Sequence, residues 1–375
     1  MVLSSYIYIQ SIIKKVGQII FAIVLASLLI LAVAIWIISP GKPIPFLDDK
    51  GNLQKGSISE KVYIDINESR QGMFIKSINT NNPVLLYLHG GMPDYFLTQQ
   101  YPTGLEKHFT VVWWEQRGSG ISFDKNMPTE KLTSRQLVED TKTLSKYLMK
   151  RFGKEKIFLM GHSGGTFLGI QVAAEAPELF HAYIAVAQIT NQFQSEKLAH
   201  EFMLQQFEQQ GDKEMAHKLR EIVITGDKLP DSYLEIRDKA MHSLGIGTMR
   251  NMKSIISGLF IPSLLFKEYT VIDKFKLWQA KAHSGVGVLW NDMLKTDIST
   301  KIPELKIPVY FFHGEYDYTV SYALAKTYFE KIIAPKKQFF SFSESAHSPF
   351  FEQPENYLKI IHDSILRNEK KYDSD

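Results

Sequence analysis

The sequence predicts an α/β protein: a mostly parallel sheet with helices on both faces, an inserted helical cap and an N-terminal transmembrane helix. Three observations carry this. Short apolar runs bounded by Gly, Asn or Asp alternate with stretches patterned at helical spacing. The alternation breaks off over residues 191–306, which are polar and helical with scattered Gly and Met. Near the N-terminus, residues 19–38 are interrupted by one polar residue, Ser27.

That apolar run comes first in the chain. Residues 16–41 contain no charge, and twenty residues at ~1.5 Å rise span about 30 Å, the thickness of a bilayer's hydrocarbon core. A cleaved signal peptide would share the Lys14-Lys15 pair and the small residues Ala32-Val33-Ala34, but the run continues through Ile35, Trp36, Ile37 and Ile38, past the length of an ordinary signal core. An uncleaved anchor over residues 16–39 is therefore expected, with Trp36 at the interface and Ser39-Pro40-Gly41 ending the helix. A short basic tip ahead of one span predicts that the domain after it lies outside the cytoplasm.

A linker follows over residues 42–60. Residues 61–67 (KVYIDIN) alternate as a strand, with residues 72–78 (GMFIKSI) as its hairpin partner. The runs VLLYL (84–88), VVWW (111–114), IFLM (157–160), 183–187 and VYFF (309–312) read as strands buried on both faces. Between them, Leu137, Thr141, Leu144, Leu148 and Phe152 fall at helical spacing, as do Phe167, Ile170, Val172 and Ala174. The division expected is an anchor over 1–41, the linker, a core over 61–190 and 307–375, and a helical cap over 191–306. The basic tail 367–371 reads as a solvated helix end.

Composition narrows function by exclusion. The 375 residues hold 43 Lys plus Arg against 40 Asp plus Glu, so no electrostatic footprint for nucleic acid exists. Cysteine is absent, which removes disulfides, Cys-ligated metals and a thiol nucleophile. Covalent chemistry must then use oxygen or nitrogen.

The sharpest motif is Gly161-His162-Ser163-Gly164-Gly165, set between a strand run and a helix-patterned stretch. A tight strand-to-helix turn tolerates only small neighbours and holds the Ser163 hydroxyl clear of the sheet at the positive end of a helix. A nucleophilic serine needs a base, and the base an orienting carboxylate. His347 falls on a loop after the apolar run 339–342, and Asp317 on the loop after VYFF; the order Ser163, Asp317, His347 is the one this turn architecture requires. Glu315 competes for the acid role, with Asp317 preferred for its reach past the glycine turn. The oxyanion calls for preorganised donors: the Gly164 amide, and the Gly91 or Met92 amide of the loop His89-Gly90-Gly91-Met92-Pro93-Asp94, between which the sequence does not choose. His89 is expected to support that loop, and Arg117 to tie loops together as a structural cation.

Together these motifs resemble the α/β-hydrolase superfamily, and within it the proline iminopeptidase-type branch, the serine aminopeptidases of peptidase family S33. HGGMPD (89–94), EQRGSGIS (115–122), GHSGG (161–165), Asp317 and His347 stand where that branch carries its oxyanion loop, a D-Q-R-G motif, its nucleophile turn, acid and base. The resemblance implies an α/β-hydrolase fold, an acyl-enzyme mechanism without cofactor or metal, and a cap that recognises a substrate amine through carboxylates. Met92 replaces the usual proline, and Trp290-Asn291-Asp292 stands in place of a Trp-Glu pair. Asp292 is thus the expected amine contact, with Glu201, Glu208, Glu214 and Glu221 as alternatives. The partners expected are a small peptide or acyl substrate and a lipid bilayer. The competing functions are an esterase or lipase, favoured by the apolar cap residues 255–266 (IISGLFIPSLLF), and a non-catalytic binding module on the same fold.

Overall fold

The computed structural model describes residues 2–226, 228–283 and 286–367. Helix α1 (Val2–Ile37) carries the apolar run, and its segment Ile12–Ile37 is long and apolar enough to cross a membrane, with none of its most apolar stretch covered by the rest of the chain. Residues 40–57 are pinned to the body. Pro40 bridges Thr270, Leu47 bridges Leu53, and the Ile44 amide donates to Glu268. The expected linker is shorter than residues 42–60, because β1 (Ile58–Ile66) already begins at Ile58.

Strand β1 turns into β2 (Ser69–Ser77) through Asn67 and Glu68, both left-handed at φ 46° and 64°. With Ile66 opposite Ser69, this is a two-residue hairpin whose twist matches its strands. Then follow β3 (Val84–Leu88), β4 (Thr110–Glu115), helix α2 (Ser134–Phe152), β5 (Ile157–His162), α3 (Gly164–Glu175) and β6 (Phe180–Val186). Among the described residues, seven α-helices and a π-helical turn (Ile256–Phe260) separate β6 from the next strand: α4 (Gln192–Gln210), α5 (Lys213–Arg220), α6 (Asp231–Leu244), α7 (Ile261–Leu265), α8 (Val271–His283), α9 (Val286–Lys295) and α10 (Ile298–Lys301). The chain closes with β7 (Val309–Gly314), α11 (Tyr322–Lys331), β8 (Lys337–Phe342), α12 (Pro349–Glu352) and α13 (Pro354–Ile360). The tail expected at residues 367–371 lies, beyond Arg367, outside the described residues.

The eight strands form one sheet in the order β1-β2-β4-β3-β5-β6-β7-β8, antiparallel only where β2 meets β1 and β4. Its faces are both buried, as the continuous apolar strand runs require. Val84, Leu86 and Leu88 pack under α2 and α3, whereas Leu85 and Tyr87 face the opposite core. Strand order reverses beside β3, so the loops after β3 and β5 diverge and open a crevice at the strands' carboxyl ends.

The insertion is less uniform than one helical unit over 191–306. Only the part from Ala199 to Ile246 builds a core of its own, around Met203, Phe207, Leu219, Tyr233 and Met241. Residues Met249 to Leu277 pack into one face of the sheet, and Leu289 to Leu305 into the other.

Arg117 ties three segments together. Its Nε and Nη2 donate to Asp140 of α2 at 2.6 and 2.9 Å, and Nη2 also donates to the Ile66 and Asn67 carbonyls at the hairpin. Asp140 takes further hydrogen bonds from Asn67, Gln71 and Gln136. Removing one member of a buried pair strands the other charge in low dielectric. Arg117→Met should therefore lower the unfolding free energy of the detergent-solubilised chain by about 3–5 kcal/mol in a urea titration, whereas the exposed Lys131–Glu68 pair should tolerate Lys131→Met with no measurable change, since solvent screens it.

Candidate active site

Ser163 sits between β5 and α3 at φ 55°, ψ −125°, a region that L side chains avoid. Such a conformation costs about 1–3 kcal/mol and survives only where the surroundings enforce it. Here they do so by close approach. A Cβ on Gly165 would lie 2.0 Å from the Leu88 carbonyl oxygen, one on Gly161 2.6 Å from the Gly165 carbonyl oxygen, and one on Gly90 2.7 Å from Ser163 Cβ. Hydrogen bonds complete the turn: the Ser163 amide donates to Val186, and the Ser163 carbonyl accepts from the Thr166 amide and hydroxyl. Gly164 opens α3, so its amide is one of the free donors at the helix's positive end.

The loop after β8 brings His347 into the same cavity as Ser163. His347 Nδ1 lies 2.8 Å from Asp317 Oδ2, and Asp317 follows β7, buried, with the Val320 amide on its other oxygen. His313 Nε2 approaches the same Asp317 oxygen at 3.1 Å. Burial works to raise the Asp317 pKa, but His347 and His313 outweigh it and hold the carboxyl below the usual range. For His347 burial wins over the attraction of Asp317, so its pKa falls below the ordinary 6.5 and the ring is neutral near pH 7. Glu315, the competing acid, is exposed. Among the described residues Ser163 Oγ makes no hydrogen bond to His347.

Residues outside the expected set hold this arrangement. Glu352 accepts from the amides of Ala346 and Ser348, which bracket His347, and from Arg250; burial pushes its pKa up to about 7. His162 spans from Asp94 Oδ2 to the His347 carbonyl, 3.1 Å each, with its ring 4.9 Å from the His347 ring. Tyr87 donates to the same Asp94 oxygen at 2.6 Å. His89 supports its loop: Nε2 accepts from the Gln116 amide, which leaves the Nδ1 proton for the Gly90 carbonyl, and burial lowers its pKa to about 4.

The cavity measures about 390 Å³ and is lined by Gly91, Met92, Ser163, Gly164 and His347 from the core and by α6 and α8 from above. A Cβ on Gly164 would lie 3.8 Å from the Gly91 nitrogen, so the two glycine-bearing loops meet beside Ser163. Asp292, the expected amine contact, is not there. It lies outside the cavity and accepts from Ser134 of α2 at 2.5 Å, because α9 presents Leu289 and Met293 inward instead. Glu201, Glu208, Glu214 and Glu221 are exposed, Glu208 and Glu214 in ion pairs with Arg220 and Lys218. Among the described residues the cap carboxylate that lines the cavity is Asp238, one oxygen held by Arg237 at 2.7 Å, its side chain 49% exposed. Leu234, Arg237, Asp238, Met241 and His242 recur at helical spacing, a signal present in the sequence. Among the described residues no three His, Asp or Glu side chains are grouped to hold a metal.

Residues 83–354 match the alpha/beta hydrolase fold family. The probable aminopeptidase YbaC of Bacillus subtilis is 29% identical over 310 residues, covering 82% of this chain and 96% of its own. A proline iminopeptidase of Heyndrickxia coagulans is 23% identical, covering 81% and 97%. The crystal structure of a proline iminopeptidase of Mycobacterium smegmatis superposes with a TM-score of 0.57 at 15% identity, covering 80% and 96%, a likeness of fold.

Because a methyl at position 90 would enter the space of Ser163, Gly90→Ala should abolish labelling of the chain by a fluorophosphonate while shifting its unfolding midpoint little. Gly165→Ala, which drives Cβ into the Leu88 carbonyl, should instead lower the yield of folded protein. Both are read by labelling and circular dichroism on the same preparations.

Proposed function

The chain belongs to the alpha/beta hydrolase fold family, and from that premise we propose that it is a serine hydrolase that cleaves an amide bond at the N-terminus of a short peptide. The observation that carries this reading is the meeting of Ser163, at its enforced positive φ, with the His347–Asp317 pair at one cavity. The aminopeptidase-named relatives, matched nearly end to end, favour the amide.

In the proposed reaction Ser163 Oγ attacks the scissile carbonyl carbon as His347 Nε2 takes the hydroxyl proton. The carbonyl oxygen becomes an oxyanion held by the Gly164 amide and by the Gly91 or Met92 amide. The C–N bond then breaks, and the amine leaves with the proton from His347. A water, deprotonated by the same ring, attacks the acyl-enzyme, and Ser163 recovers its proton as the acid departs. Asp317 fixes the ring tautomer and stabilises the imidazolium. Asp238 supplies the carboxylate for the substrate's free amine. A second reading, ester hydrolysis, is favoured by the apolar cavity wall of Ile255, Leu259 and Trp278.

Full-length protein offered aminoacyl arylamides and short aryl esters should turn over the arylamides; ester turnover alone would establish the second reading. Ser163→Ala should remove activity by about 10⁶-fold and Asp317→Asn by about 10³–10⁴-fold. Asp238→Asn should raise KM for a free-amine substrate at least about tenfold, the loss of one charge-assisted contact, and leave an N-acylated analogue unaffected.

The pH profile of kcat/KM reports the base. His347 must be neutral to accept a proton, so activity is expected to fall with decreasing pH, with a midpoint below the ordinary 6.5 of histidine. Glu352→Gln, which removes the carboxyl that titrates near 7, should leave that limb in place. We place the catalytic domain outside the cytoplasm, and protease added to intact cells should digest it there.

A further inference from the structure

The end of α1 does not hang from a free tether. The Gly41 amide donates to the Lys267 carbonyl at 3.1 Å, Pro40 bridges Thr270, and Lys274 Nζ donates to Ser39 Oγ at 2.7 Å. Lys274 also donates to the Leu264 carbonyl, joining the ends of α7 and α8 to the helix exit. The cap residues 264–274 therefore lie where the apolar span stops.

Large apolar side chains flank that point. Leu265 is two residues before Lys267 and Ile272 two residues after Thr270, so each lies within about 7 Å of backbone bonded to the exit. Ile256, Phe260, Ile261, Leu265, Ile272 and Phe275 each leave between 40% and 68% of their surface exposed. The acidic groups of this region are consumed internally: Glu268 pairs with Lys76 and Asp273 with Lys61, the two carboxylates and Lys76 buried. Lys42, Lys267 and Lys276 make no ion pair among the described residues. Apolar side chains near lysines that make no ion pair among the described residues, beside the residues where the apolar span ends, match the border between acyl chains and anionic headgroups.

We infer that the cap face carried by residues 256–275 is a lipid-docking surface, seated on the same leaflet through which α1 emerges. The inference rests on reading α1 as a bilayer anchor. The bilayer then covers one side of a segment whose other side, at Ile255, Leu259 and Trp278, walls the cavity; Phe260 packs edge-on against Trp278 with ring centroids 5.2 Å apart.

The absence of cysteine makes single-cysteine spin labelling of the full chain direct. Leu265→Cys, Ile272→Cys and Phe275→Cys would be labelled in phosphatidylethanolamine–phosphatidylglycerol vesicles, beside Ile30→Cys in α1 and Ile333→Cys, exposed near the β7–β8 edge across the sheet from β2. The three cap labels should collide with lipid-soluble oxygen in preference to an aqueous nickel chelate, in a ratio shifted toward that of Ile30→Cys and away from Ile333→Cys. Cap labels as aqueous as Ile333→Cys, with Ile30→Cys in lipid, would overturn the docking surface and leave the anchor standing. An aqueous Ile30→Cys would overturn both. Cap labels that are shielded but show spin–spin broadening, lost on dilution with unlabelled protein, would assign the face to a second copy of the chain and so refute a lipid partner.

Discussion

The arrangement at the cavity depends on one steric constraint: around the Ser163 turn, at Gly90, Gly161 and Gly165, neighbouring segments approach one another more closely than a methyl group permits. Leu88 of β3, the Gly90 loop and the first turn of α3 converge on the end of β5, and the left-handed backbone of Ser163 is what that convergence leaves available. Because the strand ends in this way, its last side chain projects beyond the sheet instead of into it. The loops after β7 and β8 then need only to reach the same edge of the sheet for Asp317 and His347 to meet beside it.

The elements were largely legible in the sequence because both faces of the sheet are buried, which turns each central strand into an unbroken apolar run. Strand β3 occupies the residues expected, 84–88. The nucleophile turn was legible for a related reason, since a close approach that excludes side chains leaves glycines at fixed spacing. Interactions between distant segments leave no such mark. Nothing local in Asp94, His162 or Glu352 announces that they grip the His347 loop, and Asp292 was a reasonable expectation from its neighbours that the rotation of α9 redirects to Ser134. Asp238 differs from these, because its position on a helical stripe with Leu234 and Met241 was open to inspection.

The insertion divides into parts with different mechanical character. The α4–α6 part has its own small core and overhangs the cavity through α6, whereas the α7–α8 part shares the sheet's core through Phe266, Tyr269 and Leu277. Burial in a common core makes α7–α8 a continuation of the sheet body. Cavity walls from these two parts thus differ in how freely they can rearrange around a substrate.

The contacts between residues 39–41 and the 267–274 segment carry one more implication. A helix held by a bilayer resists being tilted or pulled along its axis, and here that resistance is applied within a few residues of Trp278 at the cavity wall. On the proposed anchor reading, bilayer thickness and lateral tension would act as loads near the mouth of the site, which would make lipid composition a physical setting on it.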